Sequence, residues 1–352
     1  MKLRILFIIL LALPAAAQQP LILNARLDTR SVAAGLEREF TALVNSLAGP
    51  AWIGYAFAVV PGRGQSCCYS AESCCRGCLL EGSDRASPRA PQAGPVRLEA
   101  PSHHVALFRV ESRAVGKIRT VSQECELDAG GLPFYWLTGV NPAESVTLLA
   151  AQVSAAGPED RERSRLREGA VAALAAHADP SADGALEKFL LTGQPASLRE
   201  RAAFWLGSAR GRRGYEILQR VVSEDSSDRL REKIVFALLV SRDPEAVNAI
   251  LAVARSDKSA RVRGQALFWL ASKAGKKAAE AITEAIENDP ELEVKKRAVF
   301  ALSRLPADEG VPLLLQLART NPNPAVRKQA LFWLGQSKNP RALALFEEIL
   351  LR

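Results

Sequence analysis

The chain has 352 residues, of which 48% are hydrophobic and 24% charged, and its formal net charge is +8. Such a composition is ordinary for a soluble globular protein, and the length allows two domains or one domain followed by a repeat array. The whole positive excess lies in residues 161–352, where basic and acidic side chains are interspersed. We therefore expect a solvated surface and no nucleic-acid partner.

The first 17 residues have the pattern of a secretory signal peptide. Lys2 and Arg4 give a basic start, residues 5–13 are apolar throughout, and residues 15–17 are small Ala residues before the expected mature start at Gln18. The apolar run is too short for a membrane-spanning helix, which needs roughly 20 residues. We predict an exported protein, periplasmic or extracellular after cleavage near Ala17, with no membrane span. The alternative is that this run forms a hydrophobic core element.

Residues 18–140 predict a small α+β domain. We expect an amphipathic helix over 31–47, a strand over 52–60 and a hairpin of two strands over 104–111 and 115–122. Residues 83–95 are rich in Pro, Arg, Ala and Ser and predict a flexible loop. The aromatic segment 132–137 is expected to lead into the following domain and to seal the junction with it.

All six cysteines of the chain lie in this domain, and an even number in an exported protein predicts disulfide bonds. Six cysteines allow 15 pairings, between which the sequence does not choose. The alternative is thiol redox activity, because Cys75 and Cys78 have the CxxC spacing, although no strand and long helix flank the motif. A zinc site is disfavoured in an oxidising compartment, and no metal or cofactor is predicted. The predicted disulfide residues are Cys67, Cys68, Cys74, Cys75, Cys78 and Cys125.

Residues 141–352 repeat with a period of 32. In each repeat a Leu or Val precedes a basic residue, and a Leu stands eight positions later. A fixed period of this size marks a stacked array. Each repeat divides into two helices, as in 244–255 and 260–272, and we expect the turn Asp and the helix Arg to form hydrogen-bonded ladders along the stack. The anchor residues are Leu166, Leu198, Leu230, Val262, Val294 and Val326.

The turn Asp, the Val-Arg pair and the Ala and Leu that follow resemble the HEAT repeat, in the version shared with phycobilisome-lyase-like bacterial repeats. The segment 323–335 is particularly typical, and the resemblance covers about 142–352 and extends to uncharacterised exported bacterial HEAT-repeat proteins. It implies a right-handed α-solenoid whose second helices line the concave face and bind a partner. Related hydroxylases of the deoxyhypusine type use paired His-Glu motifs, which this array lacks.

One column of the repeat is not required by a generic HEAT core. Six positions after the anchor stands a Phe in five consecutive repeats, and the next residue alternates between Trp and Ala. Helix geometry predicts that Trp205, Trp269 and Trp333 fill the core, whereas the Phe column points away from it. The rings either line the concave groove, together with Lys296 and Lys328, or are buried between adjacent helices. The column consists of Phe204, Phe236, Phe268, Phe300 and Phe332.

The sequence therefore predicts a mainly α protein that acts as a non-enzymatic scaffold and binds an unidentified protein or peptide along the concave face. We expect a monomer. No catalytic motif is present. The alternative function is that of an oxidoreductase acting through Cys75 and Cys78.

Overall fold

The computed structural model of the protein describes residues 19–62, 78–81, 100–154, 160–273 and 275–351. The chain is mainly helical and divides into two compact units, Met1–Asp179 and Pro180–Arg352. The predicted signal peptide and the predicted loop at 83–95 lie outside the described residues, as do four of the six cysteines. None of the described helices is both long and apolar enough to cross a membrane.

The N-terminal unit contains eight strands in its described residues. In chain order they are β1 (Ile22–Leu23), β2 (Arg26–Ser31), β3 (Ala51–Ala58), β4 (Cys78–Leu79), β5 (His103–Glu111), β6 (Ala114–Ser122), β7 (Leu127–Asp128) and β8 (Pro133–Thr138). They form a mixed five-stranded sheet in the order β2-β8-β3-β5-β6 and a second small sheet in the order β1-β7-β4. The strands β3 and β5 are antiparallel, as are β5 and β6, so the predicted hairpin is present.

The central strands β3 and β5 of the large sheet are buried on both faces, which explains why they are almost continuously apolar. On one face, helix α1 (Leu36–Ser46) brings Phe40 against Phe108, with ring centroids 4.9 Å apart. On the other face, Trp52 and Phe134 pack in a core with residues of the small sheet, among them Cys78. The apolar residues of α1 form one buried face, as expected for an amphipathic helix.

The prediction for residues 132–137 is wrong. This segment does not lead out of the domain but forms β8, a strand inside the sheet that runs parallel to both β2 and β3. Phe134 and Trp136 are therefore buried in the core of the N-terminal unit. A parallel strand pairs with segments far away in the chain, so no local pattern indicates its partner. Ser31, predicted to start a helix, ends strand β2 instead.

Two helices that follow the sheet also belong to the N-terminal unit: α2 (Pro142–Ser154) and α3 (Arg161–Ala176). The end of α3 is bound to the backbone after β3, because the Val60 N–H donates to the Ala176 carbonyl over 2.9 Å. His177, next in the chain, stacks on Phe57 at 4.8 Å. The predicted boundary after residue 140 follows the sequence repeat, whereas the compact units divide after Asp179.

The C-terminal unit consists of helix pairs from consecutive repeats. Second helices carry the anchor residue of each repeat near their start, and first helices alternate with them along the chain. The first helices are α4 (Ser181–Lys188), α6 (Gly211–Glu224), α8 (Ala246–Ser256), α10 (Gly275–Asn288), α12 (Ala307–Thr320) and α14 (Pro340–Leu350). The second helices are α5 (Ala196–Ala209), α7 (Asp228–Val240), α9 (Ala260–Ala271), α11 (Leu292–Leu302) and α13 (Pro324–Gln336).

The repeat columns form the core between the two layers of helices. Adjacent second helices pack against each other more extensively than adjacent first helices do. This difference is expected when the second helices form the inner layer of an α-solenoid. The Leu residues eight positions after the anchors in this unit are all buried: Leu206, Leu238, Leu270, Leu302 and Leu334.

A ladder of buried ion pairs connects neighbouring repeats. The Arg231 guanidinium donates to both carboxylate oxygens of Asp257, over 2.8 and 3.0 Å, and to the Asp225 carbonyl. Arg263 binds Asp289 in the same way over 2.7 and 2.9 Å. Each Arg thus reaches the turn of the next repeat. Because both partners are buried and hydrogen-bonded to each other, the column has a structural role.

Candidate binding face of the repeat array

The Phe column lies on the surface of the second helices, and none of its five rings is fully buried. Phe204 on α5 is 38% exposed and Phe332 on α13 is 54% exposed. Phe236, Phe268 and Phe300 are half-buried. The rings contact their neighbours and yet remain partly accessible at the surface. The structure therefore combines features of the groove interpretation and of burial between adjacent helices.

The rings contact one another across repeats in a continuous row. Phe204 stacks on Phe236 with a centroid distance of 6.3 Å and an interplanar angle of 13°. The ring centroid of Phe236 lies 5.1 Å from that of Trp269, and the Trp269 centroid lies 4.9 Å from that of Phe268. We call the row of rings from α5 to α13 the aromatic ladder. Its members are Phe204, Trp205, Phe236, Phe268, Trp269, Phe300, Phe332 and Trp333.

The prediction that the three Trp side chains fill the core is wrong. Trp205, Trp269 and Trp333 are half-buried and join the ladder at the surface. The alternating residues Ala237 and Ala301 are fully buried. A helical wheel places the position after the Phe near the edge of the core face, and the indole is too large for the space that the alanines occupy between closely packed helices.

The alternation of Trp and Ala determines which rings meet. Where a repeat carries Ala, its Phe stacks on the Phe before it, as Phe300 does on Phe268 at 5.6 Å. The same Phe then meets the Trp of the following repeat, as Phe300 meets Trp333 at 4.6 Å. The 64-residue superperiod of the sequence is thus a superperiod of ring contacts, and the Trp rings fill the space between successive Phe pairs.

Charged side chains border the ladder two positions after the anchor, one helical turn before each Phe. In the first half of the ladder these are Glu200 and Glu232. Each binds an Arg of the next second helix. Arg229 pairs with Glu200, and Arg261 pairs with Glu232 through two hydrogen bonds of 2.6 and 2.5 Å.

In the second half of the ladder the same position carries the predicted cations. Lys296 on α11 pairs with Glu293 over 2.8 Å, and this carboxylate is itself 72% exposed. The hydrogen bond from Lys296 lowers the pKa of Glu293. Lys328 on α13 is exposed and has no ion pair among the described residues. The structure therefore places the two Lys residues one helical turn before Phe300 and Phe332.

One contact on this face was not predicted from the sequence. Gly264 stands on α9 in the column that carries Glu or Lys in the neighbouring repeats. A methyl group at Gly264 would overlap the side chain of Arg297, whose stem passes over this glycine. Arg297 is exposed and donates to the backbone carbonyl of Arg261 over 3.4 Å. Only a comparison of the columns, in which one Gly interrupts a charged series, could have indicated this contact.

A cleft on the opposite layer is a weaker candidate for a site. It has a volume of about 580 Å³ and lies between the first helices α6 and α8, with Arg231 and Asp257 among its lining residues. Those two side chains bind each other in the ion-pair ladder. Because these polar groups of the cleft already serve the packing of the repeats, we favour the aromatic ladder as the functional face.

Two of the six cysteines are described. Cys78 and Cys125 are disulfide-bonded and fully buried in the core of the N-terminal unit. The pairing of the six stays a prediction, because four of them lie outside the described residues: Cys67, Cys68, Cys74 and Cys75. Within the described part of the chain, no group of three or more His, Cys, Asp or Glu side chains is arranged to hold a metal ion.

The solved structures that resemble the chain include three of low identity. Human deoxyhypusine hydroxylase in complex with glycerol is 17% identical, covers 59% of this chain and 90% of its own, and has a TM-score of 0.26. The complex of CpcE and CpcF of phycocyanin lyase from Nostoc sp. PCC7120 is 18% identical, covers 56% and 77%, and has a TM-score of 0.32. Kap121p is 12% identical, covers 55% and 25%, and has a TM-score of 0.34.

At these values the solved structures carry no argument about activity or partner. No curated protein sequence matches the chain. A family model described as HEAT repeats does match, over residues 279–352. That segment contains the last two second helices, and the same columns continue in register back to Leu166. The family match therefore shows HEAT repeats in residues 279–352, and the preceding helix pairs carry the same sequence columns.

Proposed function

We propose that this protein is an exported, non-enzymatic scaffold that binds a protein or peptide along the aromatic ladder. The observation that carries the proposal is the continuous row of rings with Phe204 and Phe332 exposed toward its two ends. Exposed aromatic side chains reduce solubility unless they serve a contact. Aromatic residues are also among those in which the binding free energy of interfaces is concentrated.

The test is capture of a partner by chemical crosslinking in the native cell envelope, followed by affinity measurement with the purified partner. We compare the wild-type protein with a Phe204→Ser, Phe332→Ser double variant. These two rings are the most exposed of the column, so their removal leaves the core intact. Loss of at least about tenfold in affinity is expected for two anchor residues.

The matched control is Leu343→Ser, because Leu343 is 59% exposed but lies on the first helix α14. The control should bind as the wild type does. Equal affinity of the wild type and the double Phe variant would exclude the ladder as the binding site. Size-exclusion chromatography with light scattering of both proteins tests the expected monomer.

Export and the absence of catalysis are further parts of this proposal, and both rest on the sequence. Residues 1–17 have the signal-peptide pattern, and the array lacks paired His-Glu motifs. N-terminal sequencing of the protein from fractionated cells should find a mature start at Gln18. A start at Met1 in the cytoplasmic fraction would exclude export through this segment.

The alternative redox function has less support. Cys78 is fully buried and disulfide-bonded, whereas the attacking thiol of an exchanger must be accessible. Cys75 lies outside the described residues. Alkylation of the native protein under mild reduction tests this alternative: rapid labelling of Cys75 together with Cys78 would support it, and protection of Cys78 until the protein unfolds would argue against it.

A further inference from the structure

The charges along the aromatic ladder are not distributed evenly, and this bears on the chemistry of the partner. In the first half, the carboxylates of Glu200 and Glu232 are neutralised by Arg229 and Arg261. At this position of the repeat, the first half of the face therefore presents ion pairs rather than free charge.

The second half has an excess of cations. Lys296 and Arg297 precede Phe300 on α11, and Lys328 lies one turn before Phe332 on α13. Among the described residues, Lys296 is the one member of these three cations that forms an ion pair, and its partner is Glu293. Arg297 and Lys328 therefore hold positive charge at the surface, beside rings that are accessible.

The stacking of the rings also restricts what can bind. Phe204 stacks on Phe236 and Phe268 stacks on Phe300, with interplanar angles of 13° and 14°, so one face of each of these four rings is turned toward its neighbour. The edges of aromatic rings carry the positive end of the ring quadrupole. Edges attract carboxylate and carbonyl oxygens, whereas nucleic-acid bases need free ring faces on which to stack.

Building on the proposed function, we propose that the second half of the ladder binds an acidic segment of the partner, in which carboxylates alternate with apolar side chains. The carboxylates meet Lys296, Arg297 and Lys328, and the apolar side chains lie against Phe300 and Phe332. Gly264 on α9 contributes because it leaves room for the aliphatic stem of Arg297. The first half of the ladder supplies apolar contact, and its column two positions after the anchor carries Glu200 and Glu232 instead of Lys.

The experiment measures fluorescence polarisation of three labelled peptides with the full mature chain. The peptides consist of Glu-Glu-Phe, Ser-Ser-Phe or Lys-Lys-Phe triplets, and labelled oligo(dT) is a fourth probe. At low salt we expect the Glu-Glu-Phe peptide to bind about tenfold more tightly than the Ser-Ser-Phe peptide. The affinity for the Glu-Glu-Phe peptide should decrease as the salt concentration rises. The Lys-Lys-Phe peptide should bind least.

Charge reversal identifies the residues. Lys296→Glu with Lys328→Glu should weaken the Glu-Glu-Phe peptide about tenfold and leave the Ser-Ser-Phe peptide unchanged. The control, Lys258→Glu with Lys277→Glu, changes the net charge equally but away from the ladder, and it should leave the affinity for both peptides nearly unchanged.

Three results would overturn the proposal. Equal affinity for the Glu-Glu-Phe and Ser-Ser-Phe peptides would exclude acid preference while leaving the aromatic site in place. If oligo(dT) bound more tightly than the Glu-Glu-Phe peptide, and the Lys296→Glu, Lys328→Glu variant lost this binding, the face would bind nucleic acid instead. Binding of all peptides that survives Phe204→Ser with Phe332→Ser would refute the proposed function itself.

Discussion

Phe236 and Trp269 come from second helices one repeat apart, and their ring centroids lie 5.1 Å apart with an interplanar angle of 48°. The contact joins α7 to α9 at the surface, outside the Leu core. It exists because α7 carries the small Ala237 where α9 carries its Trp. The aromatic ladder therefore contributes to repeat packing as well as forming the candidate binding face.

The contact between these two rings should be measurable as an energetic coupling. Phe236→Ala and Trp269→Ala should be non-additive, with a coupling free energy of about 0.5–1.5 kcal/mol, because the double variant loses the ring contact only once. Urea denaturation of the wild type, the two single variants and the double variant measures it. The Phe204 and Trp333 pair, at distant parts of the ladder, is the control and should be additive.

The close approach of α5 and α7 depends on a glycine. A methyl group at Gly207 would overlap the backbone carbonyl of Ala237. Gly207→Ala should therefore destabilise the protein by about 1–3 kcal/mol through overpacking, although Ala is normally the better helix former. The control in thermal unfolding is Gly184→Ala, since nothing lies within 4 Å of that position, and it should be neutral or stabilising. Stabilisation by Gly207→Ala would contradict the packing.

Asp289 in the ion-pair ladder should contribute to acid sensitivity. Burial raises the pKa of Asp289, but the hydrogen bonds from Arg263 and from the Glu291 backbone, with the nearby positive charges, outweigh burial and lower it overall. A carboxylate with a lowered folded pKa stabilises the fold above its unfolded pKa of about 3.9, and this contribution is lost as the pH falls through the folded value.

The free energy of unfolding should thus decrease below about pH 4, and Asp289→Asn should weaken that dependence. At neutral pH the same variant should lose about 3 kcal/mol, because Arg263 is left buried without its partner. The control is Glu280→Gln, at an exposed position of α10. It should change neither the free energy of unfolding at neutral pH nor its decrease in acid. A steep acid transition that persists unchanged in Asp289→Asn would assign it to other groups.

The sequence predicts the array far better than the first unit. The anchor Leu and Val columns, the two helices per repeat and the presence of a Phe column follow from a local periodicity that recurs every 32 residues. By contrast, strand β8 pairs with β2 across about a hundred residues, and no short-range pattern specifies that register. The prediction for Trp269 is wrong for another reason. A helical wheel gives the direction of a side chain but not the space between the helices, and at this column that space holds Ala237 and Ala301 but not an indole.

The ion-pair ladder is interrupted near the C-terminal end of the array. Each Arg of the ladder binds an Asp 26 positions later, but the next pair in the series is Lys295 and Asn321. Lys295 instead donates to the Glu287 carbonyl, over 2.7 Å. Asn321 keeps the hydrogen bond of the turn, accepting from the Asn323 N–H over 3.0 Å. The turn geometry is therefore preserved where the charge pair is absent.

Restoring the pair should stabilise the junction between the last two second helices. Lys295→Arg or Asn321→Asp alone should have little effect or a negative one, because each introduces half of a partly buried pair. Together they should be coupled by about 1 kcal/mol or more, measured by a double-mutant cycle in urea. The fork of the Arg guanidinium fits two carboxylate oxygens, as it does at Arg263 and Asp289, whereas the Lys ammonium does not. Strict additivity of the two substitutions would show that the helices at this junction are too far apart for the ladder to continue.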